Sequence, residues 1–336
     1  MSAPLGVAVV GLGIGAEHGR AYLATGRCRL RWLYDIDVPK AHALAAELGA
    51  ERAAAHFEQI LEDPEVQAIS IASYDDAHFG QTIAALEAGK HVFVEKPLCR
   101  TAEELLAVKR AWLRHGGRLK LSANMVLRRA PLYGWIKENI DAGRFGKLYA
   151  FDGDYLYGRL EKITDGWRGR VKNYSVMAGG GVHLVDLLLW LTGERPKSVH
   201  AAGNRICSEN TPFRYADYVA AQLRCPSGLL ARISANFGCI HRHQHVLRLF
   251  GTAATLVADD AGARWHSTRD PATAAKPIAL AALPADKGVG IGPFVDAILS
   301  DADLGGHTQE MFDAISICAA CDRSLQSGLE EEVPYV

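Results

Sequence analysis

The chain has 336 residues, enough for two domains of ordinary size, and its 49% hydrophobic fraction can supply a core to each. The formal net charge is −1 with no long run of one sign, so there is no basic stripe for a nucleic acid. The most apolar short run, 184–191, is broken by Asp186 and is far shorter than the ~20 residues a membrane span needs. Residues 1–4 lead straight into the first apolar run, so no signal peptide is expected, and the seven cysteines read as reduced thiols of a cytoplasmic protein.

Residues 7–10 form an uninterrupted, β-branched run, too short for a helix, that reads as a strand buried on both faces. Gly11, Gly13 and Ala16 follow in G-x-G-x-x-A spacing, and a helix through Ala21, Tyr22 and Leu23 is expected next. Gly11 permits the tight turn, Gly13 lets a pyrophosphate approach the backbone, and Ala16 lets helix and strand pack closely. The N–H groups and dipole of the helix start then face the phosphates. A glycine turn without a ligand would look the same locally. What separates the two is a second apolar run, 30–34, ending at Asp35, twenty-four residues past Gly11, about where a ribose-binding acid belongs. That carboxylate accepts from a 2′-hydroxyl and repels a 2′-phosphate, and no arginine follows it directly, so NAD is favoured over NADP.

Pro39 suits a first helical position, opening a helix over 40–48 that ends at Gly49. Residues 66–72 are a third apolar run with a polar exit at 73–76. A helix over 78–88 closes at Gly89, and 91–94 is a fourth strand leading into Glu95-Lys96-Pro97. Thr101 to Glu104 is a capping box for a helix reaching about His115, and 119–123 is the next strand. Strands alternating with helices mean a doubly wound parallel sheet, whose ligands sit beyond the strand carboxyl ends. Asp35, Ser73 and Lys96 all lie at such ends and converge on one crevice. A lysine after a strand is by default a solvated charge. Lys96, between an acid and a proline at the crevice mouth, is placed to hydrogen-bond a substrate hydroxyl and take part in its proton transfer; partial burial beside a cationic nicotinamide would make it a better base.

Beyond residue 123 the alternation stops, which divides the chain into domains 1–123 and 124–336. A helix over 132–141 follows Arg128 and Arg129, and 147–157 alternates apolar with polar residues as a strand with one wet face does. Segments 215–225, 229–236, 243–250 and 254–258 are further strands, with a tight turn at 226–228. Runs of strands without helices point to a large, mostly antiparallel open sheet, giving an α/β domain followed by an α+β domain. Residues 261–292 are the least regular stretch, and 308–325 is a long helix capped by Thr308. Gly179, Gly180 and Gly181 free the backbone just before a helix, so His183 lies in its first turn, with Asp186 on the same face. The helix start favours the neutral imidazole, which can accept a proton. A histidine that merely caps its own helix is the bland alternative.

The GLGIGA turn, Asp35, the AGKHVFVEKPL stretch of 88–98 and the AGGGVHLVDLLLWLTG stretch of 178–193 together resemble the Gfo/Idh/MocA oxidoreductases, in order and across the whole chain. The EKP motif directly after AGKHVFV is the most specific part. The resemblance implies a Rossmann domain, then a domain on a large, mostly antiparallel sheet. It implies NAD(P)-dependent oxidation or reduction at a secondary alcohol of a sugar, cyclitol or related polyol. Lys96 is implied to be catalytic, often with a cis peptide to Pro97. His183 is implied to contact substrate, Arg128 matches the family's arginine before a proline on the substrate side, and Trp167-Arg168 matches a pair near the nicotinamide. The expected cofactor set is then Gly11, Gly13, Ile14, Gly15, Asp35, Ser73, His78, Glu95, Lys96, Trp167 and Arg168. One departure matters. The family usually has an aspartate four residues before the histidine, and this chain has Gly179. Tyr174 or Asp165, both just upstream, is expected to substitute. The phenol of Tyr174, which can donate or relay a proton, is preferred as the third catalytic group.

Two other patterns are set aside. His241, His243 and His245 alternate along an expected strand and so share a face, but no carboxylate or cysteine lies nearby in sequence, and no metal is expected. Cys318 and Cys321 have redox spacing inside a helix, where buried small side chains are the better reading. The expected partner is a small polyol or sugar, with no nucleic acid and no membrane. An exposed apolar face of the second sheet is expected to join copies into a homodimer or homotetramer. Two readings compete with the dehydrogenase: a hydrolase that recycles bound NAD to cleave a glycoside, and a ligand sensor that keeps the fold without turnover.

Overall fold

The computed structural model describes residues 3–336. The first sheet starts from β1 (Leu5–Val10), whose six residues are all buried, as a strand covered on both faces requires. Its partners are β2 (Cys28–Tyr34), β3 (Arg52–Ala53), β4 (Ala68–Ile71), β5 (His91–Val94) and β6 (Leu121–Ala123). All pair in parallel, in the order β3-β2-β1-β4-β5-β6. The order reverses direction between β1 and β4, which is where such sheets open a crevice beyond their carboxyl ends.

The connecting helices are α1 (Gly15–Ala24), α2 (Val38–Leu48), α3 (Glu58–Glu62), α4 (His78–Glu87) and α5 (Ala102–Arg114). Local chemistry sets their ends. The Asp37 side chain accepts the Lys40 N–H at the start of α2, and Gly49 ends it with φ +67°. Thr101 accepts the Glu104 N–H at the start of α5, but the Glu104 carboxylate takes the N–H of Arg100, so only half of the expected capping box forms. The short pair β3 and α3 was not anticipated; five helical residues carry too little periodicity to read.

The chain divides into two compact units, the first being the chain up to Val126 together with Ala285–Phe312, the second Leu127–Pro284 with Asp313–Val336. This corrects the 1–123 and 124–336 division. The returning segment holds α9 (Ile291–Leu299), whose Ile291, Phe294 and Val295 are fully part of the first unit's apolar core. Phe294 packs on Phe93 of β5 with ring centroids 5.4 Å apart. Burial of large apolar side chains, not adjacency in sequence, decides which unit this segment joins.

In the second unit α6 (Pro131–Asp141) precedes β7 (Leu148–Leu156), and α7 (Glu161–Thr164) and α8 (Val182–Thr192) follow. The other strands are β8 (Ser198–Asn204), β9 (Tyr218–Arg224), β10 (Leu230–Asn236), β11 (Gln244–Gly251), β12 (Thr255–Asp259), β13 (Gly262–His266), β14 (Lys276–Ile278) and β15 (Glu331–Glu332). They form one nine-stranded sheet in the order β14-β13-β12-β11-β7-β10-β9-β8-β15. Only β7 and β10 pair in parallel; every other pairing is antiparallel. The turn at 226–228 closes as expected, with Gly228 at φ +92° donating to the Cys225 carbonyl. Strands β13 and β14 fall in the stretch expected to be irregular. Pro277 is tolerated in β14 because that strand is at the sheet edge.

The last helix, α10 (Gly305–Ser327), starts earlier than expected, and Thr308 does not cap it: its hydroxyl donates to the carbonyl of Leu121. Cys318 and Cys321 are buried in α10, burial pushes both thiols up, and all seven cysteines are free thiols. No described helix is long and apolar enough to cross a membrane.

The face of the second sheet away from α8 is mixed, with a charge network at its centre beside apolar residues such as Val246 and Leu156. Residues Phe151 and Gly153 of β7 face α8, a Cβ on Gly153 lying 3.2 Å from Leu184 Cδ1. The alternate positions carry Asp152 and Asp154, with Arg232, Ser234 and Arg248 on the neighbouring strands. Asp154 accepts from Arg232 at 2.7 Å, from Ser234 at 2.7 Å and from Arg248 at 3.3 Å. The face expected to be apolar thus carries charge pairs across β10, β7 and β11 at its centre.

Candidate active site

The glycine turn adds one close approach, at Gly15, to the three tasks expected of it. Gly11 has φ +80°, and a Cβ there would lie 2.4 Å from the backbone N of Ser73, so both the turn and the passage of the β4 exit demand glycine. Gly13 is exposed and has open space where a Cβ would stand, which leaves its backbone approachable. Close packing of helix on strand involves Gly15 as well as Ala16: a Cβ on Gly15 would lie 2.8 Å from Val9 Cγ1, and Ala16 packs against the core that holds Val7 and Val9. Ile14 sits exposed at the N-cap of α1, which no described side chain caps.

Asp35 ends β2 and is buried. Its carboxylate accepts the N–H of Leu12 at 2.7 Å and of Asp37 at 3.0 Å, and meets the Lys40 ammonium at 3.0 Å. Burial alone would raise this carboxyl; the two N–H groups and Lys40 outweigh it and hold it below the usual range. An open glycine backbone, an uncapped helix start and an ionised carboxylate on the next strand together fit a dinucleotide.

Lys96 follows β5, partly buried, and its peptide to Pro97 is cis. Residues on either side of it are locked to the sheet. The carboxylate of Glu95 lies 3.2 Å from Nε2 of His18 on α1 and accepts from Asn124, after β6, at 2.7 Å. His18, fully buried, places its Nδ1 2.8 Å from the Ser70 hydroxyl of β4. Burial pushes Glu95 up, but His18, Asn124 and the neighbouring Lys96 charge bring it down to about 2. On the other side, His78 is buried at the start of α4, and its ring nitrogens lie 2.8 Å from the Pro97 carbonyl and 3.1 Å from the Ser73 carbonyl. His78 and Glu95, both expected to face the cofactor, thus hold the lysine loop through protein contacts. Ser73 directs its hydroxyl to Gln81 at 2.6 Å.

In the second unit His183 is the second residue of α8, but the glycines before it are not a flexible lead-in. Met177–Gly181 form a π-helical turn continuous with α8, and Gly181 is right-handed helical, φ −55° and ψ −26°. Helical hydrogen bonding begins at Ser175, whose carbonyl accepts the Gly179 N–H and whose hydroxyl accepts the Ala178 N–H. His183 is therefore about two turns inside, too deep for the dipole argument made from sequence. The glycines serve close packing instead. A Cβ on Gly179 would lie 2.4 Å from the Tyr174 Oη, one on Gly180 2.3 Å from Tyr155 Cε1, and one on Gly181 2.9 Å from Met177 Sδ.

Tyr174 is buried, edge-on to Phe213, and its phenol occupies the room a side chain at 179 would need. Asp165 is exposed and accepts the Thr164 hydroxyl at 2.8 Å. Arg128 is engaged by the protein: its Nε and Nη donate to buried Asp186 at 2.6 to 3.1 Å, which makes it a brace on α8 before it is a substrate group. Trp167 and Arg168 lie in a short 3-10 turn, Trp167–Arg170, with the guanidinium 4.4 Å above the indole.

The three alternating histidines part company. His241 precedes β11 and pairs with Asp260 at 2.6 Å, a carboxylate nineteen residues away in sequence. His243 and His245 instead join His183 around Tyr155, an association that sequence spacing does not signal. Among the described residues no group of three or more His, Cys, Asp or Glu is placed to hold a metal ion.

Comparison with known proteins bears on the family and the fold. Residues 5–122 match the family model described as an oxidoreductase family with an NAD-binding Rossmann fold, and residues 133–257 match the GFO/IDH/MocA C-terminal domain. The chain belongs to the Gfo/Idh/MocA oxidoreductase family. Within that family, inositol 2-dehydrogenase 2 of Saccharopolyspora erythraea is 32% identical over 56% of this chain and 54% of its own length. Levoglucosan dehydrogenase of Pseudarthrobacter phenanthrenivorans is 31% identical over 45% of this chain and 39% of its own. The chain thus spans about half or less of these relatives' length. Inositol 2-dehydrogenase of Ralstonia nicotianae is 26% identical over 98% of this chain and 96% of its own. A levoglucosan dehydrogenase solved with NADH and levoglucosan shares the fold, with a TM-score of 0.87 at 22% identity over 98% of this chain and all of that one. The Rossmann unit of this Gfo/Idh/MocA protein is accordingly an NAD-binding fold.

Proposed function

We propose that the protein is an NAD-dependent dehydrogenase or ketoreductase acting on a secondary alcohol or ketone of a sugar, cyclitol or related polyol. The observation that carries this reading is the chain of contacts inside the first unit that couples the glycine turn to the lysine. Gly11 packs on Ser73, and His78 joins the Ser73 carbonyl to the Pro97 carbonyl beside Lys96. The bound nicotinamide would supply the hydride acceptor. Asp35 holds the ribose diol, and the backbone at Gly13 and the start of α1 receive the pyrophosphate. In its neutral amine form Lys96 accepts the proton of the reacting hydroxyl, and in its ammonium form it returns that proton in the reverse direction, with His183 orienting the substrate. Tyr174, filling the space beside Gly179, serves as a proton relay. Trp167, Arg168 and Arg128 complete the cofactor and substrate contacts. Positioning of this kind accounts for several kcal/mol of barrier reduction.

The test is a panel of sugars and inositols with NAD and with NADP, reading NADH formation and product together. Net NADH formation with NAD is expected. Product release without net NADH would indicate the hydrolase instead, and tight binding without turnover the sensor. Copies are proposed to meet as a homodimer or homotetramer through the charge-paired face of the second sheet, and light scattering that finds only monomer would refute it. The free thiols agree with a reducing, cytoplasmic setting.

A further inference from the structure

Strand register in the second unit gathers three imidazoles around two phenols. His245 of β11 lies directly opposite Tyr155 of β7. The Tyr155 ring is 5.2 Å from those of His243 and His245 and 6.3 Å from His183. His245 is in turn 5.0 Å from His243 and 5.6 Å from His183. Tyr157, two residues along the same face, packs on His243 at 5.5 Å. Above its ring, 5.5 Å from the centroid, stands the guanidinium of Arg159. The row therefore runs from a buried imidazole on α8, through two more, to an exposed arginine. The chain leaving β7 extends the same sign: segment 157–172 carries five cations, Arg159, Lys162, Arg168, Arg170 and Lys172, against two carboxylates, Glu161 and Asp165. Imidazole and phenol rings can donate to an anion, an imidazole gains a proton more readily beside one, and a guanidinium binds carboxylate or phosphate through paired donors.

We propose that His243, His245 and Arg159 form a subsite for an anionic group on the substrate, so that the preferred substrate is an acidic sugar or cyclitol. The proposal rests on the dehydrogenase reading and names the substrate class of that site. Carboxylate and phosphate share the chemistry, and matched compounds separate them: D-glucose against D-glucuronate and D-glucose 6-phosphate, and myo-inositol against a myo-inositol monophosphate. With NAD, the better anionic member of a set is expected to exceed its neutral parent in kcat/KM by about 10-fold or more, the effect of one charge-assisted hydrogen bond. The ratio should collapse toward one in Arg159→Ala and His243→Asn and shrink as salt rises. A ratio at or below one in the wild type overturns the subsite while leaving the dehydrogenase standing, as does a ratio unmoved by both variants. If NAD binds but no compound is oxidised, the dehydrogenase reading fails, and the subsite is then judged by binding alone. Thermal stabilisation by glucuronate or the sugar phosphate that is lost in Arg159→Ala would support it, and no stabilisation by either would overturn it.

Discussion

At the scale of single residues, the glycines separate stability from binding. Gly11→Ala forces a Cβ to 2.4 Å from the Ser73 backbone at φ +80° and should cost about 1–3 kcal/mol by denaturant unfolding. Gly13→Ala meets open space, so its stability should stay within about 0.5 kcal/mol of wild type while NAD binding weakens in a titration. Equal losses of stability in both variants would contradict the assignment. Gly179 offers a second test. Gly179→Asp introduces the carboxylate that the family resemblance implies for this position, but its Cβ would lie 2.4 Å from Tyr174 Oη. It should destabilise by about 1–3 kcal/mol, and Tyr174→Ala in the same chain should recover part of that loss. The GLGIGA and EKP segments were legible as motifs because their residues are consecutive in the chain, although the contacts that fix Gly11 and Glu95 come from Ser73, His18 and Asn124. The triglycine was misread because its reasons, Tyr174 and Tyr155, lie elsewhere in the chain and only packing reveals them.

Among the elements, α9 and β5 carry the clearest consequences. Phe294→Ala on α9 should cost about 3–5 kcal/mol in the Rossmann unit, read as a lowered urea midpoint, although it lies far from that unit in sequence. His91 at the start of β5 accepts the Lys120 N–H on Nδ1, and burial followed by the Lys120 charge lowers it to about 4. The folded state therefore prefers the neutral ring. Its contribution is complete above the ordinary histidine value near 6.5 and is lost as pH falls toward 4. Glu95, held at about 2, adds a loss of the same sign between its usual 4.5 and 2. Stability measured by urea should fall from pH 7 to pH 5, and His91→Gln should flatten that slope; an unchanged slope would contradict it. Strong alternation made β7 and β9 to β12 readable. Strand β8, with its Ala-Ala-Gly stretch, the edge strand β14 and its neighbour β13 lack it, and pairing with neighbours supplies what their own pattern does not.

For the whole molecule, the two-sheet architecture and the family were in the sequence, because period-2 and helical patterns and a few motifs carry them. Where the chain goes back to the first unit was not, since one apolar helix among polar residues names no destination. Nor was the polar character of the second sheet's open face, where charges pair across three strands rather than along one. The function rests on Lys96. Steady-state turnover of Lys96→Met with its best substrate, measured alongside NAD binding by titration, tests this most directly. A fall in kcat of about 10²- to 10⁴-fold with NAD still bound is the expected result; full turnover by that variant would contradict the account.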